Sequence, residues 1–238
     1  MDVLLVRVVP GVMVESRANR VARESLRAAA AGVPAAERAE MAIPSYTHAN
    51  PLIRWLFWSR LDTALTIGGV SRGERVLDFG TGSGVLLPSL VATGAHVVAT
   101  DVQLEPARAL VAARELAVEL LSVNEQDAWF RTNAGNVDCI FALDVLEHVP
   151  DDELSRLAEC FRSALSPRGR LIVSGPTESI AYAVGRFLAG FANDYHHRNV
   201  SDIDRLLTRW FDAAARTRLP PRPLPRAFVL TRYVPRPA

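Results

Sequence analysis

The sequence predicts a doubly wound α/β fold, with seven strands in one mostly parallel sheet flanked by helices and closed by an antiparallel C-terminal hairpin strand. Three observations carry that expectation. An apolar strand around Val76 and Leu77 runs into a glycine-rich turn, Asp78-Phe79-Gly80-Thr81-Gly82-Ser83-Gly84, and Val85-Leu86-Leu87 then opens a helix. Beyond it, short β-branched runs alternate with helix-prone stretches, the order that builds parallel strands joined by crossover helices. Near the end, residues 213–219 and 227–234 read as two strands across a proline-rich turn.

Taken in order, residues 1–40 are expected to be a loose helical or disordered extension, because the Ala/Arg/Glu-rich stretch 15–38 offers few large apolar side chains to bury. The domain proper is expected over residues 41–238. Asn50 and Pro51 suit the cap and first turn of a helix that Gly68-Gly69 stops, with apolar residues at helical spacing between them. Trp55 and Trp58 sit at the edge of its apolar face, either packing on the domain or walling an apolar substrate. Residues 95–100 form a second strand ending on Asp101, and residues 118–123 a third, followed by a loop, Asn124 to Ala128. Residues 137–142 make the fourth strand, and residues 165–174 the turn and fifth strand. Two helices then follow, 179–192 and 201–211, the second capped by Ser201. Between them lies a polar loop carrying Tyr195, His196 and His197.

The glycine turn carries the chemistry. Glycines at 80, 82 and 84 permit left-handed backbone and leave no Cβ between main chain and ligand. A dinucleotide fingerprint, G-x-G-x-x-G/A, would place a small residue at position 85, where Val85 stands. An acid just ahead of the turn, Asp78, suits a cationic group rather than a pyrophosphate. Asp101 lies 21 residues beyond Gly80, near the ~20-residue offset at which a carboxylate meets a ribose diol.

The run acid-x-Gly-x-Gly-x-Gly resembles motif I of class I S-adenosylmethionine (SAM)-dependent methyltransferases, and the segment from Val137 to Pro150 is similar to the strand-four exit of their small-molecule members. The likeness is strong over residues 70–178 and implies a Rossmann-like sheet, SAM as cofactor and a small organic acceptor. It implies that Asp78, Gly80, Thr81, Gly82, Gly84, Asp101 and Val102 hold SAM, with Asp127, Ala128 and Leu143 at the adenine and methionine ends. Asp144 would stand beside the sulfonium, and Asp127 reads equally well as a solvated loop acid. His148 is a candidate base beside Glu147, and His196 and His197 are candidates on the acceptor side. The same histidines also read as local structure or an exposed loop, and nothing in their spacing requires a metal.

Composition narrows the rest. At 238 residues and 49% hydrophobic, the chain can bury one substantial core. All 27 basic residues are arginine and the net charge is +1, so there is no basic field to attract nucleic acid. No apolar run reaches a membrane span, and the N-terminus is a poor signal peptide, so a cytoplasmic protein is expected, as monomer or homodimer. Cys139 and Cys160 are expected as buried, reduced thiols. The tryptophans, Phe57 and the apolar helix expected over 179–192 favour an apolar acceptor, quinone-like, lipid-like or polyketide-like. Two rivals stand against this reading: a SAM-binding protein without turnover, and a nicotinamide-dependent oxidoreductase. Val85 and the lack of any Tyr-x-x-x-Lys pair count against the second.

Overall fold

The computed structural model describes residue 26 and residues 43–176, 200–221 and 227–237. Seven strands form one sheet in the order β3-β2-β1-β4-β5-β7-β6. The strands are β1 (Arg75–Phe79), β2 (His96–Thr100), β3 (Val118–Leu121), β4 (Val137–Leu143), β5 (Leu165–Pro176), β6 (Phe211–Leu219) and β7 (Phe228–Pro235). β1 to β5 pair in parallel, and β7 enters antiparallel between β5 and β6. Strand order runs outward from β1 through β2 to β3, then returns to start again at β4. That reversal opens a crevice at the carboxyl ends of β1 and β4, where open α/β sheets bind ligands.

Seven described α-helices cover the sheet: α1 (Ile43–Thr47), α2 (Pro51–Gly68), α3 (Leu87–Ala92), α4 (Glu105–Ala113), α5 (Val123–Thr132), α6 (Asp151–Ala164) and α7 (Val200–Leu207). Side chains alternate along the strands between two cores. Leu77 on β1 and Ile140 on β4 face α5, α6 and α7 in one, while Val76 and Phe141 face α1 to α4 in the other. Leu26 is buried in the second core, which also holds Tyr46 and Trp58.

The helix after Asn50 forms as its end signals dictate. The Asn50 side chain accepts from the Leu52 N–H at 2.9 Å, Pro51 opens the first turn, and Gly69 closes it in the left-handed conformation (φ 56°). Trp58 packs on the domain, its indole donating to the Tyr46 carbonyl at 3.2 Å, whereas Trp55 is half-buried. Two boundaries differ from expectation. The third strand stops at Leu121, because Ser122 and Glu125 form a capping box: the Glu125 carboxylate accepts from the Ser122 N–H at 3.0 Å and hydroxyl at 2.5 Å. Asn124 to Ala128 are therefore helical, not a loop. The helix expected over 201–211 starts one residue earlier, at Val200, and ends at Leu207, because Phe211 is fully buried against Tyr233 and opens β6 instead. Apart from the buried Leu26, the stretch 15–38 lies outside the described residues, as do the expected helix 179–192 and the loop with His196 and His197.

At the amino edge of the sheet, Arg170 of β5 clamps α2. Its guanidinium donates to the carbonyls of Gly68, Gly69 (3.0 Å) and Asp138 (3.1 Å), and pairs with Glu74 at 2.6 Å, with only 6% of the side chain exposed. Beside it, burial pushes the Cys139 thiol up to about 12. Cys160 on α6 is only partly buried. Removing the guanidinium strands two helix-end carbonyls and a carboxylate. Arg170→Ala is expected to lower stability by about 3–5 kcal/mol, read as a shifted urea midpoint.

Candidate functional site

The crevice at the strand reversal is a cavity of about 390 Å³, within the ~300–1,000 Å³ range of small-molecule sites. Its floor is the glycine turn. Gly80 has φ 74°, and a Cβ there would lie 2.5 Å from a Val145 methyl, so neither the conformation nor the space admits a side chain. Gly84 does different work. Its missing Cβ lets the turn approach Ala107 and Leu110 of α4, which seats the following helix on the sheet.

Two carboxylates flank the turn. Asp78, at the end of β1, is 3% exposed and accepts from the Thr81 hydroxyl at 2.6 Å. Burial, with a contribution from the Asp101 charge and against the Thr81 bond, pushes its carboxyl up to about 7. Asp101 accepts from the Gly82 N–H at 2.7 Å through one oxygen and from the Gln103 N–H at 3.0 Å through the other. Burial raises this carboxyl too, against the pull of those backbone bonds. A carboxylate with roughly four lone-pair positions keeps room for a ligand hydroxyl beside these backbone donors. Ser83, within the turn, is 1% exposed and its hydroxyl has no partner among the described residues.

The opposite wall holds a cation that the sequence reading did not single out. Arg60 of α2 is 3% exposed, and its guanidinium lies over the rings of Phe228 (5.1 Å), Phe57 (5.3 Å) and Tyr46 (5.9 Å). It pairs with Asp144 and donates to the Tyr46 hydroxyl. Asp144 follows β4 with a left-handed backbone (φ 52°), unusual for a residue with a Cβ. Its N–H donates to the Ser174 carbonyl at 3.1 Å, and its carboxylate accepts from the Ser174 hydroxyl at 2.6 Å. The signal for Arg60 was present: it stands four residues after Leu56 and four before Ala64, on the buried face of the helix.

Of the residues singled out by sequence, Asp78, Gly80, Thr81, Gly82, Asp101, Val102, Leu143, Asp144 and His148 line this one cavity. Gly84 sits just behind it. Asp127 and Ala128 do not reach it, since both lie on α5 and are exposed, and Asp127 pairs with Arg156 at 2.6 Å. Glu147 stands off the lining, 1% exposed, its carboxyl pushed up to about 7 by burial. Among the described residues, no cluster of three His, Cys, Asp or Glu side chains is placed to hold a metal ion, and no helix is long and apolar enough to cross a membrane.

The sequence pattern of the methyltransferase domain family matches residues 20–223. The chain belongs to that family. As a methyltransferase-domain protein it resembles the ubiquinone biosynthesis O-methyltransferase of Sodalis glossinidius, at 35% identity over 132 residues, 53% of this chain and 48% of the relative. Against the protein of the same name from Aeromonas salmonicida the identity is 30% over 120 residues, 48% of each chain. The chain spans about half the length of these curated relatives. In fold, the methyltransferase-domain protein is similar to the N-methyltransferase NodS of Bradyrhizobium japonicum in complex with S-adenosyl-L-homocysteine, with a TM-score of 0.60 at 14% identity over 84% of this chain and 96% of that one. Magnesium protoporphyrin IX methyltransferase of Synechocystis, also with that nucleoside bound, superposes with a TM-score of 0.57 at 19% identity over 92% and 96%. The sheet is thus that of the class I SAM-dependent methyltransferases, and the match begins at residue 20, within the stretch read as an extension.

The raised carboxyl of Asp78 makes the ligand-free protein sensitive to pH. An acid whose pKa is higher folded than unfolded favours the folded state at low pH and loses that contribution as pH rises. The window is 3.8 to about 7. Asp78→Asn removes this loss, so the variant is expected to match the parent near pH 4 and to exceed it at pH 8 by on the order of 2–4 kcal/mol. Urea unfolding at a series of pH values measures the difference.

Proposed function

We propose that the protein transfers the sulfonium methyl of SAM to an oxygen of a small organic acceptor with an apolar body. The observation that carries the reading is the arrangement of charge in the cavity: a buried carboxylate, Asp78, and a half-buried one, Asp101, flank a glycine turn, and a buried guanidinium, Arg60, faces them. SAM carries an ammonium, a ribose diol and a carboxylate, and each finds its complement there. Asp78 takes the ammonium, Asp101 the diol and Arg60 the carboxylate. The partnerless Ser83 hydroxyl offers a further donor. The choice of oxygen follows from the curated relatives, whose printed name is that of O-methyltransferases. Unpaired Cys139 and Cys160 favour a reducing, cytoplasmic setting.

Bound SAM supplies an electrophilic methyl on a positively charged sulfur; the protein supplies geometry. Gly80 lets the ligand lie on bare backbone, while Leu143 and Val145 present apolar surface at the reacting end and exclude water. Fixing nucleophile and methyl in line is worth up to about 7–11 kcal/mol at the ideal limit. His148 lines the cavity, which supports it as the candidate to take a proton from an acceptor hydroxyl, a role worth typically ~10²–10⁴-fold. His196 and His197 stand as further acceptor-side candidates.

Calorimetric titration tests the reading. SAM and S-adenosylhomocysteine are expected to bind with micromolar affinity, NAD(H) not at all, and Asp101→Ala should weaken both ligands by about tenfold or more. Binding of NAD(H) in place of the two adenosyl ligands would sink the proposal.

A further inference from the structure

Thr100 stands at the junction of three elements, and its backbone and side chain are engaged in different directions. It ends β2, is 1% exposed, and lies between Phe79 of β1 and Leu121 of β3. Its carbonyl accepts from the N–H groups of Gly80 (2.9 Å) and Thr81 (3.1 Å). The next N–H of the turn, that of Gly82, goes to the Asp101 carboxylate at 2.7 Å. Three successive N–H groups of the glycine turn are thus spent on the dipeptide Thr100-Asp101. The end of β2 shapes the turn, and these donors are not on offer to a phosphate.

The side chain carries the hold outward to α5. A carbonyl only accepts, so the Thr100 hydroxyl gives its proton to the Leu121 carbonyl at 2.8 Å. Its oxygen is then left to accept, and the Gln126 amide donates to it at 2.7 Å. With both roles of the hydroxyl taken, and with the few rotamers of a β-branched residue, the torsions around Thr100 are set from β3 and α5. Gln126 is half-buried near the start of α5. Ordering a long amide side chain costs about as much conformational freedom as one neutral hydrogen bond returns. What the bond changes is therefore the placement of Thr100 rather than the stability of the fold.

We propose that Gln126 is a positioning residue for Asp101: it holds the Thr100 hydroxyl, which fixes the Thr100-Asp101 peptide and the angle at which the carboxylate meets the ribose diol of the cofactor. This rests on the reading of SAM as the ligand and of Asp101 as the acceptor of its diol. When Gln126 lets go, the hydroxyl keeps one anchor of two and the end of β2 gains freedom. The carboxylate then takes up directions that satisfy the Gly82 N–H without meeting both ribose hydroxyls. Such a change is felt by a ligand that carries the diol and not by one that lacks it.

The test compares S-adenosylhomocysteine with its 2′,3′-dideoxy analogue, which lacks the diol, by calorimetry on the full-length protein. Gln126→Met keeps the length of the side chain and removes the donor. It is expected to lose about three- to tenfold in affinity for S-adenosylhomocysteine, with the dideoxy analogue unchanged. Thr100→Val keeps the branched shape and should lose the same preference, whereas Thr100→Ser retains the hydroxyl and should keep it. The double variant Gln126→Met/Thr100→Val should lose no more than Thr100→Val alone, since both act through one hydroxyl. The ratio between two ligands on one variant is insensitive to a misfolded fraction. Equal weakening of both ligands, additive losses in the double variant, or no change on Gln126→Met overturns the positioning role. A parent protein that binds both ligands equally well refutes the diol contact of Asp101, and one that binds neither refutes the methyl-transfer reading; either result takes the proposal with it.

Discussion

Two buried arginines fix the long helix α2 to strand β5, one at each edge of the sheet, and the cavity exists because they do. Arg170, near the amino end of β5, holds the carbonyls of Gly68 and Gly69. Ser174, four residues further along the strand, bonds Asp144, which pairs with Arg60 of the helix. Eight helical residues separate Arg60 from Gly68, a rise of about 12 Å. Four strand residues separate Arg170 from Ser174, a rise of about 13 Å. The spans agree, so both attachments close together. Gly68 lets the contact be tight, since a Cβ there would lie 2.7 Å from the Phe141 ring.

With the helix seated, the electrostatics of the site follow from what burial does to charge. Asp78 and Asp101 are held on the floor of the turn by bonds from Thr81, Gly82 and Gln103, and desolvation still raises both carboxyls. The floor is therefore deficient in positive charge, and a ligand cation corrects this at once. On the far wall the guanidinium is over-supplied with donors relative to its partners, which makes it receptive to negative charge. A molecule with separated charges of both signs suits this cavity, and a uniformly charged one does not.

The sequence conveyed the floor of the site and missed its wall. Asp78, the glycines and Asp101 were legible as one cluster because their placement is local: each lies within a few residues of a strand end whose position the hydrophobic pattern reveals. Arg60 and Tyr46 were not, because their place on the cavity wall depends on which face of α2 meets β5 and on a segment that packs over the sheet from outside it. Asp127 shows a different failure. Taking residues 118–123 as strand overlooked the Ser122-x-x-Glu125 cap, so the chain turns into helix early and carries Asp127 out to Arg156. The fold itself was readable from end to end of the described sheet, since parallel strands buried on both faces leave near-continuous apolar runs in the sequence.

A carboxyl that sits at about 7 is half protonated in neutral solution. On the proposed binding mode, an ammonium beside Asp78 drives that proton off, and complex formation would expel up to about half a proton at pH 7. In that mode the protein would be a small source of acid each time it fills, and the heat of binding would carry the ionisation enthalpy of whatever buffer receives the proton.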